Sequence, residues 1–272
     1  GVYEGRTLGT PIAIVIRNED VRPADYATIA ANPRNGHADD LWREKFGHAD
    51  PRGGGRASGR ETAARVAAGA IAEMFVRREA PEVAVTGYAC RIGPLELDAE
   101  ARESIGSDAD VDAFPARFPS ARQASLVDEL LREAKREGKS WGGVVEVRVD
   151  GVPRGTGAPI FRKLKAKLAE AYLSVGATAG VELGAGFTAS AVEGTAFHAS
   201  AAGPGYGGLR GGIATGERIV ARVAFKPTAT VLDTAKRGRH DPCIVPRAIP
   251  VLEAMTYLVL ADLLLHRRLD RA

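Results

Sequence analysis

The chain has 272 residues, 45% of them apolar and 26% charged, with a net charge of +3. These proportions are ordinary for a soluble globular protein and allow a substantial core, as one large domain or two smaller ones. The near-balance of charge excludes a global basic field for nucleic acid, and the 6% of aromatic residues is not interleaved with arginines as a base-stacking platform requires.

The chain starts at Gly1 without an initiator Met, so a natural N-terminal segment is expected ahead of it. Residues 11–17 are a β-branched run bounded by turn residues and predict a strand. Residues 18–57 are rich in Asn, Asp, Pro, Gly and Arg and predict a long functional loop.

That loop ends in Arg52-Gly53-Gly54-Gly55-Arg56-Ala57-Ser58-Gly59-Arg60-Glu61-Thr62. Three glycines let the backbone approach a ligand, and Arg52, Arg56 and Arg60 add permanent positive charge. Ser58 and Glu61 have capping-box spacing, so a helix is expected over residues 59–78. A basic loop running into a helix N-terminus predicts an anion site for phosphate or carboxylate. The small residues of that helix (Ala63, Ala64, Ala67, Ala68, Gly69, Ala70) predict close packing against a neighbour.

A strand follows at 82–92, then an amphipathic helix at 120–137 stopped by Gly138. Residues 143–152 alternate as a strand, 160–175 read as a helix, and 181–192 as a glycine-interrupted strand. A strand at 217–225 runs into the turn Lys226-Pro227-Thr228, and a closing helix spans 249–268. Strands and helices mix without strict βαβ alternation, which points to an α+β layered sandwich. The longest apolar stretch, 249–265, is broken by Glu253 and Asp262 and reads as a buried helix, so no membrane partner is expected. Cys90 and Cys243 have no CxxC partner and no signal peptide is visible, which predicts a reduced, cytoplasmic setting.

Other constellations leave alternatives open. In Gly238-Arg239-His240-Asp241-Pro242-Cys243 the aspartate suits a general acid/base or a substrate anchor, but also a turn with surface ion pairs. In Gly36-His37-Ala38-Asp39, with His48 and Asp50 behind, a loop histidine suits proton transfer, a solvated surface, or a metal. The spacing matches no ligand template, and the nearby arginines disfavour a cation, so no metal is expected. Lys226-Pro227-Thr228 offers a phosphate contact or a plain β-turn. Gly203-Pro204-Gly205 fails as a dinucleotide fingerprint because of its proline, and the Gly53 loop lacks a Walker ending.

Taken together, the segments GVYEGRTLGTPIAIVIRNED, GHAD, RGGGRASGRETAARVAAGAIA, GVELGAGF, GGLRGGIATGERIVARVAFKPTAT and GRHDPCIVPRAIPVLEAM resemble the chorismate synthase family over most of the chain, in order. The resemblance implies a single-domain β-α-β sandwich with helices between antiparallel sheet layers, assembled as a homotetramer. It implies a lyase of the shikimate pathway that converts 5-enolpyruvylshikimate 3-phosphate to chorismate, losing phosphate and a C6 hydrogen in an anti-1,4 sense. Reduced FMN is required; whether NADPH reduces it on the enzyme or an external reductase does so stays open.

By that resemblance Arg56, Ala57 and Ser58 match flavin contacts, as do Gly176, Ala177, Gly211, Lys226, Pro227, Thr228, Ala229, Thr230 and Arg239. Ser58, Arg60 and Arg239 match substrate contacts, apt for a ligand with two carboxylates and a phosphate. His37 matches the histidine beside flavin N1, and Asp241 the aspartate that assists C6 proton removal. The family's GESHG block, with its phosphate-protonating histidine, does not occur here. Other departures are Asp40 after GHAD, Gly203-Pro204-Gly205-Tyr206 for a polar Asn-Asn segment, and Ala179 for lysine. Two readings stand: a piece of a chain with further active-site segments, which is favoured, or a shortened, catalytically impaired flavin- or anion-binding homologue.

Overall fold

Period-two alternation along residues 143–150 and 219–225 decides which side of the sheet is greasy. Val145, Val147, Val149, Ile219, Ala221, Val223 and Phe225 are buried on one face. Glu146, Arg148 and Arg222 stand between them and face the other way. The computed structural model describes residues 1–19, 33–50, 57–106, 110–199, 204–232, 235 and 240–270.

A short ribbon pairs β1 (Val2–Tyr3) with β2 (Arg6–Thr7). Helix α1 (Asp39–Phe46) precedes a 3-10 turn, Gly59–Glu61, and helix α2 (Thr62–Glu79). Then come β3 (Ala84–Ile92), β4 (Leu95–Glu96), α3 (Ala99–Glu103), α4 (Ala124–Glu137) and β5 (Gly143–Asp150). Helix α5 (Leu164–Leu173), β6 (Thr178–Leu183) and α6 (Gly194–Phe197) follow. The chain closes with β7 (Leu209–Arg210), β8 (Ile213–Ala214), β9 (Ile219–Phe225) and α7 (Val245–Arg267).

The main sheet is antiparallel, in the order β4-β3-β5-β9-β6, and β7-β8 form a second ribbon. Helices α5 and α7 cover its apolar face and α2 packs on α7, with Val76, Leu168, Tyr172, Ile249, Leu252 and Leu260 in one continuous core. The class is α+β, as expected. Helix α7 is long and apolar enough to cross a membrane, yet 56% of its apolar window is buried, as befits the core helix of this layer.

Helices α2 and α7 run parallel: Gly69 faces Ala254, and farther along Arg268 Nη2 reaches Glu79 Oε2 at 2.5 Å. A Cβ at Gly69 would lie 2.3 Å from Ala254 Cβ, so the small residues of α2 do permit a very close crossing. Helix α5 runs the opposite way, its Tyr172 hydroxyl 2.7 Å from Thr256 Oγ1 and its leading Arg162 near Asp262.

The sheet's other face carries a buried ionic row. Glu146 accepts from Tyr88 Oη at 2.5 Å and from Arg148 Nε at 2.9 Å, and pairs with Arg102. Next along, Arg222 pairs with Glu182 at 3.1 Å. Burial pushes the Glu146 carboxyl up, but the Arg102 and Tyr88 bonds outweigh it and hold the group below the usual glutamate value.

Several expectations are corrected. Residues 11–17 are not a strand: Val15 and Ile16 are exposed, and no strand among the described residues supplies the hydrogen bonds that β-propensity alone cannot provide. The long loop contains α1, closed by left-handed Gly47. The strand at 181–192 stops at Leu183, because Gly184 and Gly186 turn left-handed (φ +59° and +54°) and a 3-10 segment, Gly186–Ala191, follows. The closing helix begins at Val245, with Pro246 in its first turn, where its missing N–H costs nothing. The capping box is half made. Ser58 Oγ accepts from Arg60 N at 3.3 Å, but Glu61 turns to Arg65 at 3.0 Å.

Candidate active site

One end of the sheet gathers most of the chemistry-bearing segments. The start of β5, the end of β9 and the start of β6 meet there, with Gly143 and Thr178 both paired to Phe225. Because α2 and α7 are parallel and α7 starts beside Gly143, both helices open their N-termini at that end. Unpaired N–H groups and positive dipole ends thus face the same region.

The turn after β9 is its hub. Lys226 N donates to Ala177 O at 3.0 Å, and Ala177 takes a left-handed φ of +68°. Lys226 Nζ donates to Gly36 O at 3.1 Å, and Arg34 Nη1 to Thr230 Oγ1 at 3.3 Å. Arg34 Nη2 lies 3.2 Å from His37 Nδ1 and 3.1 Å from its Nε2, so the guanidinium can donate to whichever ring nitrogen carries no proton. On the other side Thr228 Oγ1 donates to Asp241 O at 3.0 Å, and Ser140 Oγ to Thr228 O at 2.9 Å. The His240 ring nitrogens contact Thr230 O and Lys139 O, each at 2.8 Å. The segments bearing His37 and Asp241, remote in sequence, therefore both dock on one five-residue turn.

Asp241 is half-buried, and that burial pushes its carboxyl above the usual aspartate value. Arg247, His240 and Lys135 pull the other way, and Arg247 Nη1 touches Asp241 Oδ2 at 3.1 Å. Ala57 and Ser58 are half-buried and Arg60 exposed at the mouth of α2. The first turn of α2 is tied to the hub indirectly: Arg65 Nη1 donates to Ser174 Oγ at 2.6 Å and Arg65 Nη2 to Ser174 O at 2.9 Å. Gly176 follows two residues later, exposed and with open space where a Cβ would stand.

The structure thus brings together His37, Gly176, Ala177, Lys226, Pro227, Thr228, Ala229, Thr230 and Asp241, with Ala57, Ser58 and Arg60 linked through Arg65. Gly211 is not gathered with them. Its neighbour Gly212 accepts from Leu164 N at 2.7 Å, at the far end of α5. That is about 15 Å away at the helical rise per residue. Arg56 and Arg239, with the Arg52–Gly55 stretch, lie outside the described residues. Among the described residues no cluster of three metal-ligating side chains occurs. The hub residues Arg34, Ser140 and Arg247 escaped the sequence reading; Arg247 lies inside the quoted GRHDPCIVPRAIPVLEAM block, where its arginine was the available signal.

A family model described as chorismate synthase matches residues 1–265. The chain belongs to the chorismate synthase family. A curated chorismate synthase from Bdellovibrio bacteriovorus is 57% identical over 273 residues, covering 100% of this chain and 79% of that protein. One from Jannaschia sp. is 43% identical, covering 98% of this chain and 77% of its own length. A crystal structure of chorismate synthase superposes with a TM-score of 0.72 at 32% identity, covering 85% of this chain and 70% of that one. The protein is accordingly a lyase, forming chorismate on the pathway to aromatic amino acids. Nothing in these likenesses favours a catalytically impaired homologue.

Proposed function

We propose that the hub around residues 226–230 is the site at which 5-enolpyruvylshikimate 3-phosphate loses phosphate and its C6 proton, with reduced FMN as cofactor. The observation that carries this reading is the docking of His37 and Asp241 on one turn. The donor set suits phosphate-bearing ligands, since Lys226, Arg60 and two helix N-termini face one region and Gly176 leaves open space beside it.

Reduced FMN, when bound, supplies electron density as the C–O bond to phosphate breaks. The chain's own residues do the rest. Asp241, as carboxylate, accepts the C6 proton, helped by a raised proton affinity from burial. His37 would hold a proton on one imidazole nitrogen for the cofactor while Arg34 donates to the other. Ser58 and Arg60 would grip the substrate's anionic groups at the mouth of α2, and Ala177 and the 226–230 turn would hold the cofactor.

Incubating the full-length protein anaerobically with reduced FMN and enolpyruvylshikimate phosphate should release chorismate and phosphate in equal amounts. Release of neither refutes the assignment. We also read residues 1–272 as one domain of a cytoplasmic homotetramer that binds neither nucleic acid nor membrane. The continuous core supports the single domain, and the two free, buried thiols suit a reducing compartment. Sedimentation at about the monomer's 28.6 kDa would contradict the tetramer.

A further inference from the structure

We propose that Arg247, in the first turn of α7, is a positioning residue that fixes the Asp241 side chain through a direct ion pair with its carboxylate. This inference rests on the reading of Asp241 as the proton acceptor. The Asp241 backbone is already held from both sides. Thr228 Oγ1 donates to its carbonyl at 3.0 Å, and Trp141 N donates to the next carbonyl, Pro242 O, at 2.8 Å. Those bonds place the Cα but leave χ1 and χ2 free. Among the described residues the side chain is held by one ion pair, Arg247 Nη1 to Oδ2 at 3.1 Å.

The need for such a partner follows from the site's chemistry. A half-buried carboxylate loses hydration, which favours the acid form, and an acid form cannot accept a proton. Burial does push Asp241 upward, opposed first by Arg247 and then by His240 and Lys135. Among the described residues the charged groups facing it are Arg247 from α7, His240 from its own turn and Lys135 from the last turn of α4. The His240 ring nitrogens are engaged by Thr230 O and Lys139 O, so His240 braces the turn and acts on the carboxylate only through space. Arg247 alone of the three touches it. The arginine is 78% exposed while the aspartate is 30% exposed, so the guanidinium meets the carboxylate from the solvent side through Oδ2.

The experiment compares Arg247→Gln and Arg247→Lys with the wild type in the full chain. First, the Asp241 carboxyl is titrated by 13C NMR in the flavin-free protein, its signal identified by its loss in Asp241→Asn. Second, kcat and kcat/KM are followed against pH with reduced FMN. Arg247→Gln should raise the carboxyl's titration midpoint by about 0.5–1 pH unit, the range left for a largely exposed partner. The acid limb of kcat/KM should move up by the same amount, and Arg247→Lys should restore most of both. Because Arg247 is a surface residue, thermal melting should show the variants folded. An unmoved carboxyl titration in Arg247→Gln overturns the proposal whatever the activity. A rise in KM with an unmoved acid limb also overturns it, since Arg247 would then be a substrate ligand. Wild-type turnover in Asp241→Asn would instead sink the underlying role of Asp241.

Discussion

The crossing of α2 and α7 offers the sharpest link between packing and catalysis. An Ala side chain at Gly69 would place its Cβ 2.3 Å from Ala254 Cβ and 2.6 Å from Ala254 Cα. Carbon atoms pack at about 3.5–4.0 Å, so the helices must separate by more than roughly 1 Å. Overpacking of this kind costs about 1–3 kcal/mol. Replacing Gly by Ala in a helix interior returns about 0.5–1 kcal/mol. The net is a destabilisation of up to about 2.5 kcal/mol, or at most roughly 5–10 °C in Tm for a chain of this size.

The same displacement acts at the site, because α2 carries Ser58 and Arg60 at its mouth and α7 starts four residues after Asp241. A misplacement near 1 Å can cost up to about 100-fold in rate. Gly69→Ala should therefore lower both Tm and kcat, measured by thermal unfolding at fixed protein concentration and by anaerobic chorismate formation. Ala254→Gly alone should cost about 1 kcal/mol of helix propensity. Combined with Gly69→Ala it removes the 2.3 Å clash but leaves the approaches of 2.6 Å to the Cα and 3.0 Å to the carbonyl oxygen, so it should recover only part of the loss. A Tm that rises in Gly69→Ala, or a double variant fully restored to the stability of Ala254→Gly, would refute the argument that the two backbones touch there.

Asp241→Asn removes the proposed proton acceptor while keeping its shape; turnover should fall by 100-fold or more, in line with loss of a general base, with flavin affinity by fluorescence quenching nearly unchanged. Glu146→Gln strands Arg148, whose side chain is 9% exposed, and should cost about 3–5 kcal/mol by denaturant unfolding at pH 7. The Glu146 carboxyl is lowered by folding, so its contribution is present above its unfolded value near 4.5 and is lost as pH falls through the folded value; the gap between variant and wild type should close in acid. Glu253, whose Oε1 accepts from Gly87 N at 2.8 Å, is pushed up by burial to about 7. Between about 4.5 and 7 the unfolded chain ionises while the folded one stays protonated, so stability falls as pH rises through that window. Glu253→Gln keeps the Gly87 bond and should raise Tm at pH 8, by the equivalent of about 2–3 kcal/mol, yet change it little at pH 4.5.

Local pattern made β5, β9 and α2 readable, because each buries one face against a layer and so must alternate with its own period. It misled at residues 11–17, where the alternation is as good but the hydrogen-bonding partner that makes a strand is tertiary information. At β6 the glycines are plain in the sequence, but that two of them turn left-handed and end the strand depends on the fold around them. The site divides the same way. His37 and Asp241 stand in short motifs that a family resemblance can carry over. Arg34, Ser140, Arg65 and Arg247 act by reaching across the fold, and residue type alone does not say where a guanidinium or hydroxyl will land.

Why the hub forms at this end of the sheet follows from two adjacent glycines. A Cβ at Gly142 would lie 2.3 Å from Phe225 O, and one at Gly143 would lie 2.2 Å from Arg91 O. Without side chains there, the entry to β5 runs close against the last residue of β9 and against the neighbouring β3. Trp141 can then bridge to Cys243, and Ser140 can reach Thr228. The chain leaving β9 is thereby pressed between residues 139–141 and 240–243 in place of turning out into solvent. Lys226 and Thr230 are left on its open side, where the 34–37 segment closes over them. Sheet and turn are thus brought together by backbone contacts at Gly142 and Gly143 that tolerate no side chain, and the flanking motifs are tied on by side-chain hydrogen bonds. The first turn of α2 joins them through the bonds from Arg65 to Ser174.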